Sequence, residues 1–139
     1  MRLEMSKRSD LTLRAIRYLH AADGAVDGSQ LADAIETTTH FLPQVLKPAI
    51  TSGWIASTPG PGGGYRLTAN PEEISVLDLI TAVEGTPEDG RCVLRGVPCP
   101  AEEECVLHDS WVRARGALMA ELGSTSLATA LLLAPTKGE

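Results

Sequence analysis

Residues 54–68, Trp54-Ile55-Ala56-Ser57-Thr58-Pro59-Gly60-Pro61-Gly62-Gly63-Gly64-Tyr65-Arg66-Leu67-Thr68, place two short strand-like runs around a segment so rich in glycine and proline that it reads as a turn. The stretch is a β-hairpin. Immediately upstream, Asp27-Gly28-Ser29 opens a short helix with Leu31, Ala32 and Ile35 on its apolar face. Thr37, Thr38 and Thr39 then offer a cap for a second helix carrying Phe41, Val45, Leu46, Ala49 and Ile50, closed by Gly53. Pro43 suits the first turn of that helix, whereas Pro48 falls inside it and is expected to kink it or shift its start. Before this pair, Leu11, Ala15, Ile16 and Leu19 recur at helical spacing, with Ser9 or Asp10 as the expected cap and Asp23-Gly24 as the stop. A helix–turn–helix followed by a hairpin is a winged helix, so the expected fold is mainly α with a small β-hairpin.

Downstream, Ser75 to Val83 reads as a helix stopped by Gly85-Thr86-Pro87. Residues 86–106 read as loop and contain all three cysteines. From about Leu107, the residues Trp111, Ala114, Leu118, Met119 and Leu122 mark a long helix, stopped by Gly123-Ser124, with a short last helix over Ser126 to Leu133. The long stripe has no partner in a winged-helix head, and a dimer interface is its simplest use. The chain therefore divides into a winged-helix head at 1–85, a cysteine-rich ligand-binding loop at 86–106 and a dimerisation helix with tail at 107–139.

Composition narrows the classes. With 139 residues, 43% apolar but only 4% aromatic, the interior must be built from Leu, Ala, Val and Ile, which disfavours a large β-sandwich. The longest apolar run, Leu127 to Ala134, is far shorter than the roughly 20 residues of a membrane span. Arg2, Glu4, Lys7, Arg8 and Asp10 leave no apolar leader segment, so a cytoplasmic protein without a membrane partner is expected. The net charge of −6 is unevenly spread: residues 1–66 carry +1 and residues 67–139 carry −7. The first half is left able to meet a polyanion. No Ser-His-Asp set, paired carboxylates or nucleotide motif points to an enzyme. The glycine cluster lacks the Lys-Ser/Thr ending of a P-loop and leads into a strand.

In such a fold the second helix of the pair enters the major groove and the hairpin reaches the flanking backbone or minor groove. Thr38, Thr39, His40 and Gln44, at its leading end with Thr37, are the expected base readers. Ser29 and Gln30, opening the preceding helix, suit phosphate contacts. Gly62, Gly63, Tyr65 and Arg66 form the wing, where missing side chains let backbone amides approach phosphate. Lys7, Arg8, Arg14 and Lys47 add charge nearby or form a solvated surface.

The spacing Cys92-x6-Cys99-x5-Cys105-x2-His108 concentrates four soft or borderline donors in seventeen residues. Three crowded thiolates repel one another, and a cation relieves that repulsion; iron–sulfur clusters and zinc are the usual choices. The odd cysteine count does not fit a disulfide scaffold. The absence of C-x2-C knuckles lowers structural zinc without removing it. Three unligated thiols in a loop would be the bland alternative.

The opening Met1-Arg2-Leu3, the run from Phe41-Leu42 through Gly53-Trp54, the wing from Pro59 to Leu67, the segment Ile74 to Ile80 ending in Glu84-Gly85, and the cysteine triad together resemble the IscR/NsrR family of winged-helix transcription repressors. That resemblance extends from Met1 to about Leu122. It implies a homodimeric repressor of double-stranded DNA operators, with a 2Fe–2S or 4Fe–4S cluster held by Cys92, Cys99 and Cys105 and a fourth, non-cysteine ligand. By this resemblance His108 matches the histidine ligand of one branch, and Asp10 matches an N-terminal acidic ligand that another branch supplies from the partner subunit. One departure is Pro59, where the family commonly has an arginine before the glycines. The expected function is control of DNA affinity by a cluster that senses redox state, nitric oxide or iron–sulfur supply. The alternatives are a winged-helix regulator with structural zinc or a thiol-redox switch, and a redox or electron-transfer protein.

Overall fold

The computed structural model describes residues 4–86, 91–92, 94, 97–98 and 105–133. The first helix, α1, runs Lys7–Ala21 and is capped by Ser6, whose Oγ accepts the Ser9 amide at 3.1 Å. This corrects the expected cap at Ser9 or Asp10. Ser9 is fully buried, and its hydroxyl donates to Glu84 rather than to its own helix. Thr12, the other buried polar residue of α1, places its hydroxyl 2.9 Å from the Arg8 carbonyl and 3.0 Å from the Val45 carbonyl. A buried hydroxyl without a partner is costly. This one joins α1 to the third helix.

The second helix, α2, spans Gly28–Ile35 with Asp27 as its cap, and α3 spans Leu42–Thr51. Between them Glu36 adopts φ 62°, the only non-glycine positive φ among the described residues, and Arg14 Nη1 holds its carboxylate at 3.1 Å. No threonine side chain caps α3 directly. Thr38 instead accepts the Phe41 amide on its Oγ1 at 3.1 Å and the Leu42 amide on its carbonyl at 2.9 Å, building the turn that precedes the helix. Pro48 lies inside α3 without ending it.

Gly53, at φ 77°, turns the chain out of α3 and into β1, Ile55–Thr58, which pairs antiparallel with β2, Gly64–Leu67. The register sets Ile55 opposite Leu67 and Ser57 opposite Tyr65. Val26 adds a third backbone pairing, exchanging both hydrogen bonds with Tyr65 at 2.8 Å and so fastening the hairpin to the α1–α2 connection. The glycines are demanded by that closeness. A Cβ on Gly64 would lie 2.3 Å from the Val26 carbonyl, and one on Gly63 would lie 2.1 Å from that of Thr58.

A 3₁₀ turn at Pro71–Glu73 leads to α4, Val76–Glu84, which begins with a reciprocal capping box between Ser75 and Asp78. The last two helices are α5, His108–Ser124, and α6, Leu127–Leu133. The core gathers Ile16 from α1, Leu31 and Ile35 from α2, Leu42 and Leu46 from α3, Ile55, Leu79 and Leu127, all nearly inaccessible. Truncating one of these to alanine costs about 2–5 kcal/mol by lost transfer energy and the cavity left behind. Leu127 carries the C-terminal helix into this core, assisted by its amide bond to the Ile74 carbonyl at 2.7 Å. No residue of α5 is buried.

Candidate nucleic-acid interface and cysteine segment

The groups expected to meet DNA lie on two neighbouring elements. Thr38, Thr39, His40 and Gln44 are exposed at the leading end of α3. Arg66 is exposed on β2, Gly62 is exposed at the hairpin tip, and Gly63 and Tyr65 are half-buried. Ser29 and Gln30 are exposed on α2, but their backbone amides already bond Asp27 Oδ2 at 2.9 and 3.4 Å. Any phosphate contact there falls to the side chains, and the Gln30 amide nitrogen also donates to the Tyr18 hydroxyl at 2.9 Å. Sequence reasoning passed over Phe41. It counted as a core residue by periodicity, yet it is 39% exposed, because the chain enters α3 at that residue and its side chain lies outside the apolar stripe.

Arg8 was expected to add charge or to form solvated surface; its Nη2 donates to the Gln44 carbonyl at 2.9 Å. In a regular helix that carbonyl would accept the amide four residues on, and that residue is Pro48, which has no N–H. Lys47 is exposed on α3.

The candidate ligands are distributed as follows. Cys92 is buried and its amide donates to the Val97 carbonyl at 2.8 Å, beside an antiparallel bridge between Arg91 and Pro98 that folds this part of the chain back on itself. Cys105 is half-buried at the entry to α5, where its carbonyl accepts the His108 amide at 3.0 Å. Cys105 and His108 thus share the turn that opens the long helix. Cys99 lies outside the described residues. Among the described residues no three of the His, Cys, Asp and Glu side chains converge as a metal site. Asp10 sits on the first turns of α1 and is paired with Lys7 at 3.4 Å and with Arg14 at 3.1 Å.

Glu84, at the end of α4 and directly before the cysteine segment, binds back to the start of α1. Its Oε1 accepts the Ser6 amide at 2.9 Å and the Ser9 hydroxyl. The Ser9 hydrogen bond is the main reason its carboxyl sits below the ordinary 4.5; slight burial opposes it and Ser6 reinforces it.

A three-helix core with a glycine-built hairpin wing, presenting a polar helix end beside that wing, defines a DNA-binding transcriptional regulator of the winged-helix class. Residues 5–131 match the Rrf2 family model, described as an iron-dependent transcriptional regulator, and the chain belongs to that family. It is 31% identical over 111 residues to the HTH-type transcriptional regulator IscR of Aliivibrio salmonicida, covering 80% of this chain and 66% of that one. The IscR of Pectobacterium atrosepticum is 32% identical over the same length, with 67% of it covered. The chain thus spans about two thirds of the length of these relatives. Among solved structures, CymR of Bacillus subtilis, titled the global cysteine regulator of that organism, superposes with a TM-score of 0.75 at 25% identity, covering 96% of this chain and all of that one. An IscR from T. potens superposes at 0.71 over 98% of this chain and 94% of its own; at 22% identity it attests the fold. These relatives are transcriptional regulators and not enzymes, and no described helix is long and apolar enough to cross a membrane.

Proposed function

We propose that the protein is a homodimeric, cytoplasmic repressor whose affinity for operator DNA is set by an iron–sulfur cluster on Cys92, Cys99 and Cys105, completed by His108. The observation that carries this reading is the shared turn of Cys105 and His108 at the start of α5, the helix that has no buried residue and is available to a second subunit. The donors fit iron by their chemistry: two described thiols not joined in a disulfide, a third in the same segment, and an imidazole. A bound cluster would supply a redox- and nitric-oxide-reactive centre. Asp10, which pairs with Lys7 and Arg14 on α1, is the alternative fourth ligand.

The chain's own residues supply a route from this segment to the reader. Glu84 ties the end of α4 to Ser6 and Ser9, and α1 in turn holds α3 through Arg8 and Thr12. A shift of the segment after Glu84 therefore reaches α3 through hydrogen bonds on one rigid helix. Thr38, Thr39, His40 and Gln44 would read bases, while Ser29, Gln30, Gly62, Gly63, Tyr65 and Arg66 would meet the backbone.

The test is anaerobic purification followed by visible absorption, metal analysis and titration of promoter fragments at several salt concentrations. Iron with sulfide, lost in Cys99→Ser, together with sequence-selective, salt-dependent binding is the expected result. Zinc in place of iron would favour a structural-metal regulator. A coloured protein without selective DNA binding would leave only the electron-transfer reading. His108→Ala compared with Asp10→Ala identifies the fourth ligand, and unchanged spectra in both would reject both.

A further inference from the structure

From the exposure of a single aromatic ring, and resting on the DNA-binding reading, we infer that Phe41 is a specificity-determining residue that reads a thymine methyl group in each operator half-site. Among described residues 4–86 only two large hydrophobic side chains are exposed, Met5 at 37% and Phe41 at 39%. Met5 lies ahead of α1, whereas Phe41 sits at the leading end of the helix expected in the major groove. The core beneath α3 has no need of it, because Leu42, Val45, Leu46 and Ala49 close that face with almost no exposure.

Its backbone is pinned on both sides. The Phe41 amide donates to Thr38, and its carbonyl accepts from Gln44 at 3.0 Å and Val45 at 3.2 Å. The ring therefore projects from a fixed platform, and little backbone freedom would be lost on docking. Around it Thr38, Thr39, His40 and Gln44 are all exposed and polar. Those groups suit the donor and acceptor edges of bases, but a phenyl ring has no partner among them. The major groove presents one apolar group, the C5-methyl of thymine, and phenylalanine is among the side chains that contact it. An aromatic exposed at the reading end of α3 thus has a specific apolar counterpart in the groove, and that methyl, which cytosine lacks, adds to the discrimination of T from C.

The tightest duplex enriched by the full chain from a random pool provides the probe. Each thymine is replaced in turn by deoxyuridine, which lacks only the methyl group. One thymine in each half-site should then weaken binding about fourfold, the factor set by one buried methyl. Phe41→Ala should bind the unsubstituted duplex more weakly and lose the sensitivity at that position; Phe41→Leu should keep part of it and serves if the alanine variant does not fold. If every thymine is replaceable without loss while the duplex still binds selectively, the inference falls and the DNA-binding reading stands. Equal sensitivity in wild type and both variants assigns the methyl to another residue and overturns it as well. If no duplex is enriched, the DNA-binding reading itself fails, and the role of Phe41 with it.

Discussion

Arg8 Nη2 stands 2.9 Å from the carbonyl of Gln44, and the helical donor that carbonyl would otherwise have is removed by Pro48. A proline within a helix leaves one acceptor bare and is destabilising for that reason as well as by steric clash. Here the first helix supplies the missing donor from outside, so a local fault in α3 becomes a joint between α1 and the reading helix.

That joint is measurable by a double-mutant cycle. Arg8→Ala should cost about 1 kcal/mol in urea unfolding, the usual net value of such a bond at a partly exposed site. In a Pro48→Ala background the restored amide satisfies the carbonyl from within, and the same Arg8→Ala change should cost clearly less. Equal costs in both backgrounds would show that Arg8 acts through packing alone.

Glu84 gives a pH dependence of known sign. Its folded-state pKa is lowered, mainly by the Ser9 hydrogen bond, so its contribution is fully present above the unfolded value near 4.5 and is lost as pH falls through the lower folded value. Stability curves of wild type and Glu84→Gln should therefore run parallel at neutral pH and converge in acid. Curves parallel throughout would mean that the Glu84 charge does not matter to the fold.

The hairpin supplies a paired prediction. Gly60 lies at φ 87° with open space around it, whereas Gly64, at φ 134°, faces the Val26 carbonyl. Gly60→Ala should cost about 1 kcal/mol from backbone strain alone. Gly64→Ala has to part Val26 from Tyr65 in addition, and should cost at least about 2 kcal/mol. Thermal unfolding of the two variants side by side checks the order, and equal losses would dissociate the wing's glycines from the Val26 pairing.

These elements differ in how far the sequence revealed them. The hairpin, α2 and the start of α4 were legible because local chemistry decides them: glycine and proline at the turn, Asp27 and Ser75 at caps; α5, whose start has no side-chain cap, was legible from its apolar spacing. The cap of α1 was not, because Ser6 and Ser9 are equivalent by pattern and only the distant Glu84 makes one a cap and the other a buried donor. Phe41 failed for the opposite reason: helical periodicity counts an apolar residue at a helix end as core, but the turn before α3 places it outside. The Arg8–Gln44 contact spans 36 residues, and no local signal announces it. Among the site residues, the sequence neighbours Cys105 and His108 are together in the fold, whereas Asp10 is engaged by Lys7 and Arg14.

The last prediction concerns α5. Its stripe of Trp111, Ala114, Leu118 and Leu122 contains no buried residue, and Leu118 is 42% exposed within one subunit. If a second copy covers the stripe, Leu118→Glu removes two apolar contacts per dimer, one from each subunit, and sets two carboxylates against an apolar surface. Each leucine is worth about 1.5–3 kcal/mol when fully buried, so the dimer should weaken by about a hundredfold or more. Sedimentation equilibrium should show a dimer for wild type and a monomer for Leu118→Glu at micromolar concentration, with circular dichroism unchanged because α5 packs on the monomer core through Leu122 and not through Leu118. DNA affinity should fall in parallel, since a two-fold reader loses one half-site when its subunits part. A wild-type chain that already sediments as a monomer would detach α5 from dimerisation and require another occupant for its apolar face.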